Sequence, residues 1–296
     1  MLYIAPMGQF WAKALLILVV GCSGTSSPEA VPPTRNPDVP DEPAGQSTDK
    51  LVQLVAVSDV TTVAPGQEFS LGARLDVEPT WHIYWLNPGE AGLPTEAAFM
   101  APAGFSVGAV RYPGPKRFED PGGVVSYGYE DLAMLSAPVT APDALSRGET
   151  ITFTIEASWL ACREVCVRGN ATGQLVLPVA GPDSPSSPSH AELWQRHLEA
   201  VPVPLSELSG ASHSFSDRTL TIALPKAERV EYFPSPGEQP VLSGQASVPD
   251  DDGVSLRVSY REVEGTKPPE SITGVIRVVN DRARYYSIDI PWPEES

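Results

Sequence analysis

From about residue 50 onward, hydrophobic side chains recur at every second position in a series of short runs. Phe69, Leu71, Ala73, Leu75 and Val77 alternate with Ser70, Gly72, Arg74 and Asp76. A period of two places one set on a buried sheet face and the other toward solvent. Trp81, Ile83 and Trp85 repeat the pattern, and so do Ile151, Phe153, Ile155, Ala157 and Trp159 against Thr152, Thr154, Glu156 and Ser158. Turn formers such as Asn87-Pro88-Gly89 and Asp120-Pro121-Gly122-Gly123 punctuate the runs at intervals suited to an antiparallel sandwich. Leu175 to Val179 is its expected closing strand. Alternation resumes at Leu220, Ile222 and Leu224, at Val254, Leu256, Val258 and Tyr260, at Ile272, Gly274, Ile276 and Val278, and at Tyr286, Ile288 and Ile290.

One segment breaks the period of two. After the Pro/Ser-rich boundary at 181–188, Leu193, Trp194, His197, Leu198 and Val201 form a stripe at helical spacing. Ser189, three residues before Glu192, reads as a capping box. The expected fold is therefore all-β: a sandwich at 49–181, a linker with one short helix at 182–204, and a second, smaller β domain at 205–296.

The first 48 residues read differently. Lys13 precedes the apolar run Ala14 to Val20, which falls short of the roughly 20 residues that a bilayer span needs, so residues 1–22 are expected to be an export signal. Val19-Val20-Gly21-Cys22 resembles a bacterial lipobox, which makes Cys22 the expected lipid attachment point. Residues 23–48 carry Pro28, Pro32, Pro33, Pro37, Pro40 and Pro43 with almost no large apolar side chains, the composition of an unpacked tether. A coil of that length reaches on the order of 30 Å. The expectation is a periplasm-facing lipoprotein of the bacterial envelope, held to the membrane by its lipid alone.

Composition narrows the chemistry. Lys and Arg number 20 against 37 Asp and Glu, a formal charge of −17, which argues against nucleic-acid binding through a general basic surface. Proline, at 32 of 296 residues, is about twice its usual ~5% and suits short strands joined by turns. There is no Gly-x-Ser-x-Gly elbow, phosphate loop or His-Glu-x-x-His pattern, and the histidines at 82, 190, 197 and 213 suggest no triad. Asp250-Asp251-Asp252-Gly253 reads as a solvated turn. No cofactor and no metal site are expected.

Three cysteines are present, and with Cys22 assigned to lipid, Cys162 and Cys166 remain. They follow a predicted core strand in Trp159-Leu-Ala-Cys162-Arg-Glu-Val-Cys166-Val-Arg168. Their spacing places the sulfurs on one helical face or across a small loop, so a reversible bond is geometrically possible. Arg163 and Arg168 are candidates for lowering a thiol pKa, with Glu164 opposing them. A structural disulfide closing a short loop, and a Cu(I) dithiol site, are the other readings of the same pair. His82, between Trp81 and Ile83, is expected on the sheet face opposite the core.

Several ordered motifs then carry a resemblance. Trp81-His-Ile-Tyr-Trp85-Leu-Asn-Pro-Gly89-Glu-Ala-Gly92-Leu-Pro94, Tyr112-Pro-Gly-Pro-Lys116-Arg-Phe118, Tyr127-Gly-Tyr129-Glu130 and Trp159 to Gly169 are similar to the N-terminal domain of DsbD-like thiol:disulfide interchange proteins, particularly the ScsB-like branch. The resemblance covers about residues 50–180 strongly and the second β unit loosely. It implies an immunoglobulin-like domain whose two cysteines pass electrons to or from thioredoxin-like envelope oxidoreductases. Cys166 is then the expected site of the mixed disulfide and Cys162 the resolving thiol. It also implies a cap loop at 118–129, with Phe118, Tyr127 or Tyr129 as the aromatic shield. Because the chain carries neither the membrane domain nor the thioredoxin-like domain of the family, electrons are expected to come from a separate membrane relay protein. The rival expectation is an interaction module that kept the disulfide without electron transfer.

Overall fold

The alternating runs are the strands of the protein. The computed structural model describes residues 50–120, 122–180, 187–237, 241–261 and 270–293. The expected signal peptide at 1–22, Cys22 and the tether at 23–48 lie outside the described residues.

The first half contains β1 (Val52–Ser58), β2 (Glu68–Val77), β3 (His82–Gly89), β4 (Glu96–Met100), β5 (Ser106–Val107), β6 (Lys116–Asp120), β7 (Val124–Glu130), β8 (Leu132–Thr140), β9 (Thr150–Cys162) and β10 (Cys166–Pro178). One sheet runs β1-β2-β8-β5; the facing sheet runs β10-β9-β3-β7-β6, with β4 also paired to β9. All of these strand pairings are antiparallel. Leu71, Ala73 and Leu75 from one sheet and Ile83, Phe153 and Ile155 from the other are fully buried between them. Trp81, Trp85 and Trp159 are buried in the same core, as the alternation predicts. The result is an immunoglobulin-like sandwich.

The closing strand is longer than its apolar segment. It begins at Cys166, because thirteen registered pairs tie it to β9 through Asn170, Thr172 and Gln174 as well as Leu175 and Leu177. Polar side chains on its solvent face conceal this extent from a hydrophobic pattern.

The linker helix, α1 (Ala191–Ala200), packs on the outer face of the first sheet, where Trp194 meets Val57 and Met134. Ser189 does not cap it. Its N–H donates to the Asp59 carbonyl at 2.7 Å, pinning the chain to the sheet edge, and His190 takes the N-cap position with φ 51° and no side-chain cap. Trp194 and His197 are buried, while Leu198 is 54% exposed, so the stripe is narrower than expected.

The second half contains β11 (Val203–Pro204), β12 (Ser212–Ser216), β13 (Thr219–Pro225), β14 (Arg229–Pro234), β15 (Val241–Asp250), β16 (Gly253–Arg261), β17 (Ser271–Val279) and β18 (Ala283–Pro291), in sheets ordered β11-β18-β17-β14 and β12-β13-β16-β15. Their own core includes Leu220, Ile222, Leu256, Val258, Ile272 and Ile276. Asp250 to Asp252 form the turn between β15 and β16, with the Ser255 hydroxyl and the Asp251 N–H donating to Asp250.

The two halves share core contacts. Phe233, fully buried, meets the rings of Trp85 at 6.3 Å and Tyr127 at 5.2 Å, and Asn87 donates to the Pro234 carbonyl at 2.8 Å. All described residues fall within one compact unit, Gly45–Ser296. No helix among them is long and apolar enough to cross a membrane.

Candidate functional site

Cys162 ends β9 and Cys166 begins β10, and the two are directly opposite one another in the ladder. They are joined as a disulfide across the loop Arg163-Glu164-Val165, with a Cα–Cα separation of 4.2 Å. That separation is close to the spacing of a non-hydrogen-bonded antiparallel pair, so the hairpin itself brings the sulfurs together. The small-loop geometry, rather than a helical face, is the one adopted.

The two sulfurs are not equivalent to an incoming molecule. Cys162 is 3% exposed. Cys166 is exposed, as are all three loop residues, and Val165 reaches 63%. Cys166 is therefore the sulfur open to solvent, and Cys162 lies behind it.

Strand register fixes the surroundings. Cys162 pairs with His82 on β3, and His82 pairs on its other side with Glu130 on β7. Directly opposed residues share a sheet face, so Cys166, Cys162, His82 and Glu130 form one row across the outer face. Tyr84, two residues along β3, lies on the same face. Its hydroxyl is 3.9 Å from Cys166 Sγ, and because a disulfide sulfur carries no hydrogen, the phenol is the donor. Phe118 stacks on the His82 ring at 4.7 Å with the planes 13° apart, and Tyr84 meets that ring edge-on at 5.2 Å.

Glycines make this packing possible. Gly128 lies opposite Tyr84, and a Cβ there would strike the Ile83 carbonyl oxygen, so only glycine lets β7 approach β3 this closely. Gly92, at φ +115°, rests against the Tyr84 ring, where a Cβ would stand 2.5 Å from Cε1. Gly169 lies opposite Trp159 and leaves room for its indole.

Of the aromatic shield candidates, Phe118 alone shares the disulfide's face. Tyr127 and Tyr129 point into the sandwich, because they sit at the alternate positions of β7. Tyr127 packs on Phe233, and Tyr129 donates to the Pro113 carbonyl at 2.8 Å. Burial holds the Tyr129 phenol well above its ordinary pKa, so it remains a neutral donor.

The two arginines also differ. Arg163 lies over the Trp81 ring at 5.1 Å and donates to Thr80 Oγ1 at 3.5 Å. Arg168 is exposed on the disulfide's face, two residues beyond Cys166. Glu130 accepts from Lys116 at 2.6 Å on the same face. Among the described residues, no group of three or more His, Cys, Asp or Glu is gathered to hold a metal ion. The reduced pair, as two thiolates, would offer soft donors.

Sequence reasoning placed His82 on the outer face but did not connect it to the cysteines, and it treated Tyr84 as part of a motif without a role. Alternation gives the parity of each residue. Which strand lies beside which is a property of the ladder, and no local pattern carries it.

Residues 51–178 match the family model of the thiol:disulfide interchange protein DsbD, N-terminal. The crystal structure of the N-terminal periplasmic domain of ScsB from Proteus mirabilis is similar in fold, with a TM-score of 0.59 at 16% sequence identity over 84% of this chain and 97% of that one. The larger span of that likeness carries it into the second β half. The Neisseria meningitidis DsbD N-terminal domain in the reduced form aligns with a TM-score of 0.28 at 13% identity, over 49% of this chain and 95% of that one. No curated protein sequence matches the chain.

Proposed function

We propose that the protein, whose residues 51–178 match the DsbD N-terminal family model, exchanges disulfides with thioredoxin-like partners in the periplasm through Cys162 and Cys166. The observation that supports this most directly is the unequal burial of the pair: an exposed Cys166 at a hairpin tip and a buried Cys162 behind it. A partner thiolate attacks Cys166 Sγ and forms the mixed disulfide. Cys162 leaves, and later resolves the adduct by attacking Cys166 in turn. Phe118 covers the His82 side of the site, Tyr84 donates to Cys166, and Arg168 is the cation placed to favour a Cys166 thiolate. The envelope location, with a lipid at Cys22 and electrons supplied by a separate membrane protein, belongs to the same proposal.

Equilibration of the purified protein with a glutathione or dithiothreitol series, read by thiol alkylation, tests the reading. An exchanging pair is reducible under native conditions. A pair more stable than about −300 mV, where structural disulfides typically lie, counts against it. Cys162→Ser is expected to accumulate mixed disulfides through Cys166, and Cys166→Ser is not. A binding module with a structural bond traps nothing in either variant.

A further inference from the structure

Exchange at this pair leaves a charge to be accounted for. When Cys166 is attacked, the electron pair of the broken bond departs on Cys162 Sγ, in a position only 3% exposed. A thiolate there lacks most of its hydration, and burial disfavours the charged form. The departing sulfur needs a proton or a countercharge that is already inside the site.

The strand ladder supplies one. His82 is the direct cross-strand neighbour of Cys162, and Glu130 is the direct cross-strand neighbour of His82. Such pairs have Cβ atoms about 4.5–5.5 Å apart, so a sulfur, an imidazole and a carboxylate follow one another across β9, β3 and β7. The His82 side chain is 6% exposed, and Phe118 stacks on its ring.

We propose that His82 is the cationic partner of Cys162 and that Glu130 is the positioning residue that sustains its protonated form. The inference rests on the disulfide-exchange reading above. In the forward step a partner thiolate attacks Cys166 Sγ, the S–S electron pair departs on Cys162 Sγ, and imidazolium His82 beside it holds the Cys162 thiolate as an ion pair. In the resolving step that thiolate attacks Cys166 Sγ, re-forms the disulfide and releases the partner as its thiolate. Atoms, charge and electrons balance without any further reactant.

The charged and titratable groups around His82 make this workable. Glu130 on β7 favours the imidazolium, and Lys116 on β6 offsets part of that charge through its ion pair with Glu130. Tyr84 on β3 and Phe118 on β6 contribute uncharged rings. Cys162 on β9 is the group that changes ionisation, with Cys166 on β10 beside it. Arg163 in the tip loop is turned to Trp81 and Thr80, and Glu164 and Arg168 are exposed. Phe118 restricts water on the His82 side, which strengthens a sulfur–imidazole interaction.

The decisive experiment is the titration of Cys162 in Cys166→Ser protein, followed by ultraviolet thiolate absorbance, which needs no reagent to reach a buried group. The thiolate is expected to appear below the ordinary thiol pKa of about 8.5. An added His82→Phe or His82→Gln is expected to cut the thiolate fraction at neutral pH about tenfold or more, since an adjacent opposite charge shifts a pKa by about 1–3. Glu130→Gln should move it the same way by less. Identical titrations with and without His82 overturn the proposal. In the wild-type protein, where no variant has to fold, the His82 ring followed by NMR should hold its proton to higher pH after reduction than before. An unchanged His82 titration overturns it as well. If the wild-type disulfide resists dithiothreitol while the titrations shift, the exchange reading fails and the Cys162–His82 pairing stands. If exchange proceeds and the titrations do not shift, the pairing alone fails.

Discussion

Reducing the disulfide should leave the sandwich standing, and the expected cost can be worked from the hairpin. The bond joins residues at a sequence separation of 4. For so short a loop the chain-entropy relation gives about 2 kcal/mol of stabilisation. The groups that hold β9 and β10 together do not include the sulfurs: thirteen registered pairs persist, and Phe153, Ile155 and Trp159 stay buried at 4% exposure or less. The freed Cys162 thiol is itself acceptable in a core, where cysteine behaves as a small hydrophobe. Against a global stability on the order of 5–15 kcal/mol, a loss of about 2 kcal/mol is survivable. For a protein of this size it should lower Tm by about 4–8 °C. Reduction, rather than Cys→Ser substitution, is the right perturbation, because a serine hydroxyl at position 162 would add a desolvation cost of its own. Thermal unfolding followed by near-ultraviolet circular dichroism, with and without dithiothreitol, measures the difference. Loss of the near-ultraviolet signal on reduction at ambient temperature, or a drop well beyond 8 °C, would refute the reasoning and make the bond a structural staple.

Three further outcomes follow from the same coordinates. His197, on the buried face of α1 with Nε2 2.7 Å from Ser136 Oγ, has its pKa lowered to about 4 by burial and by Arg111. The unfolded chain takes up that proton near pH 6.5 and the native state does not, so stability should fall as pH drops from about 6.5 toward 4, by about 3 kcal/mol in all. Urea midpoints at several pH values should show this slope, and His197→Gln should flatten it. Gly92→Ala combines a left-handed φ with a Cβ driven against Tyr84. It should cost about 1–3 kcal/mol and speed reduction of the disulfide by pushing Tyr84 away from Cys166; an unchanged reduction rate with lowered stability would show that Tyr84 plays no part at the sulfur. Phe233→Ala empties a fully buried site shared by both halves. It should cost about 3–5 kcal/mol and lower the unfolding transitions of both halves together, which probes placed in each half can separate.

Much of this molecule is legible in its sequence because strands buried on one face declare themselves at a period of two. The runs that became β2, β9, β13, β16, β17 and β18 are all visible in that way, and so are the buried tryptophans of β3 and β9. Legibility ends where burial is not what selects the residue. The first nine residues of β10 are held by ladder hydrogen bonds and, Val167 and Cys166 apart, carry polar or small side chains, so no alternating hydrophobic signal marks them. Ser189 has the chemistry of a cap, but a backbone bond to Asp59 claims the segment first. Tyr127 and Tyr129 are aromatic and sit in the right hairpin, yet parity turns them inward and leaves Phe118 as the ring over the site. The spacing of Cys162 and Cys166 admits a helix or a loop, and the hairpin register selects the loop.

Position on the outer face explains how one sheet can hold both a rigid core and a bond that opens. Along β9 the odd-numbered residues Phe153, Ile155 and Trp159 fill the sandwich, and the even-numbered ones lead out to Cys162. Breaking the disulfide therefore removes nothing from the packed interior, and its neighbours on the outer face are the Arg163–Val165 tip and the hairpin that carries Phe118. The latter turns at Gly122 and Gly123, where φ is positive and an added Cβ would meet nothing within 4 Å. Glycine there serves backbone conformation rather than close packing. Gly128 is the opposite case, a glycine forced by contact with Ile83, and it anchors the base of the same hairpin. Phe118 lies on His82 at the outer face of that hairpin, while Tyr127 and Tyr129 hold its inner face in the core. The disulfide row and the packed core thus occupy opposite faces of one sheet.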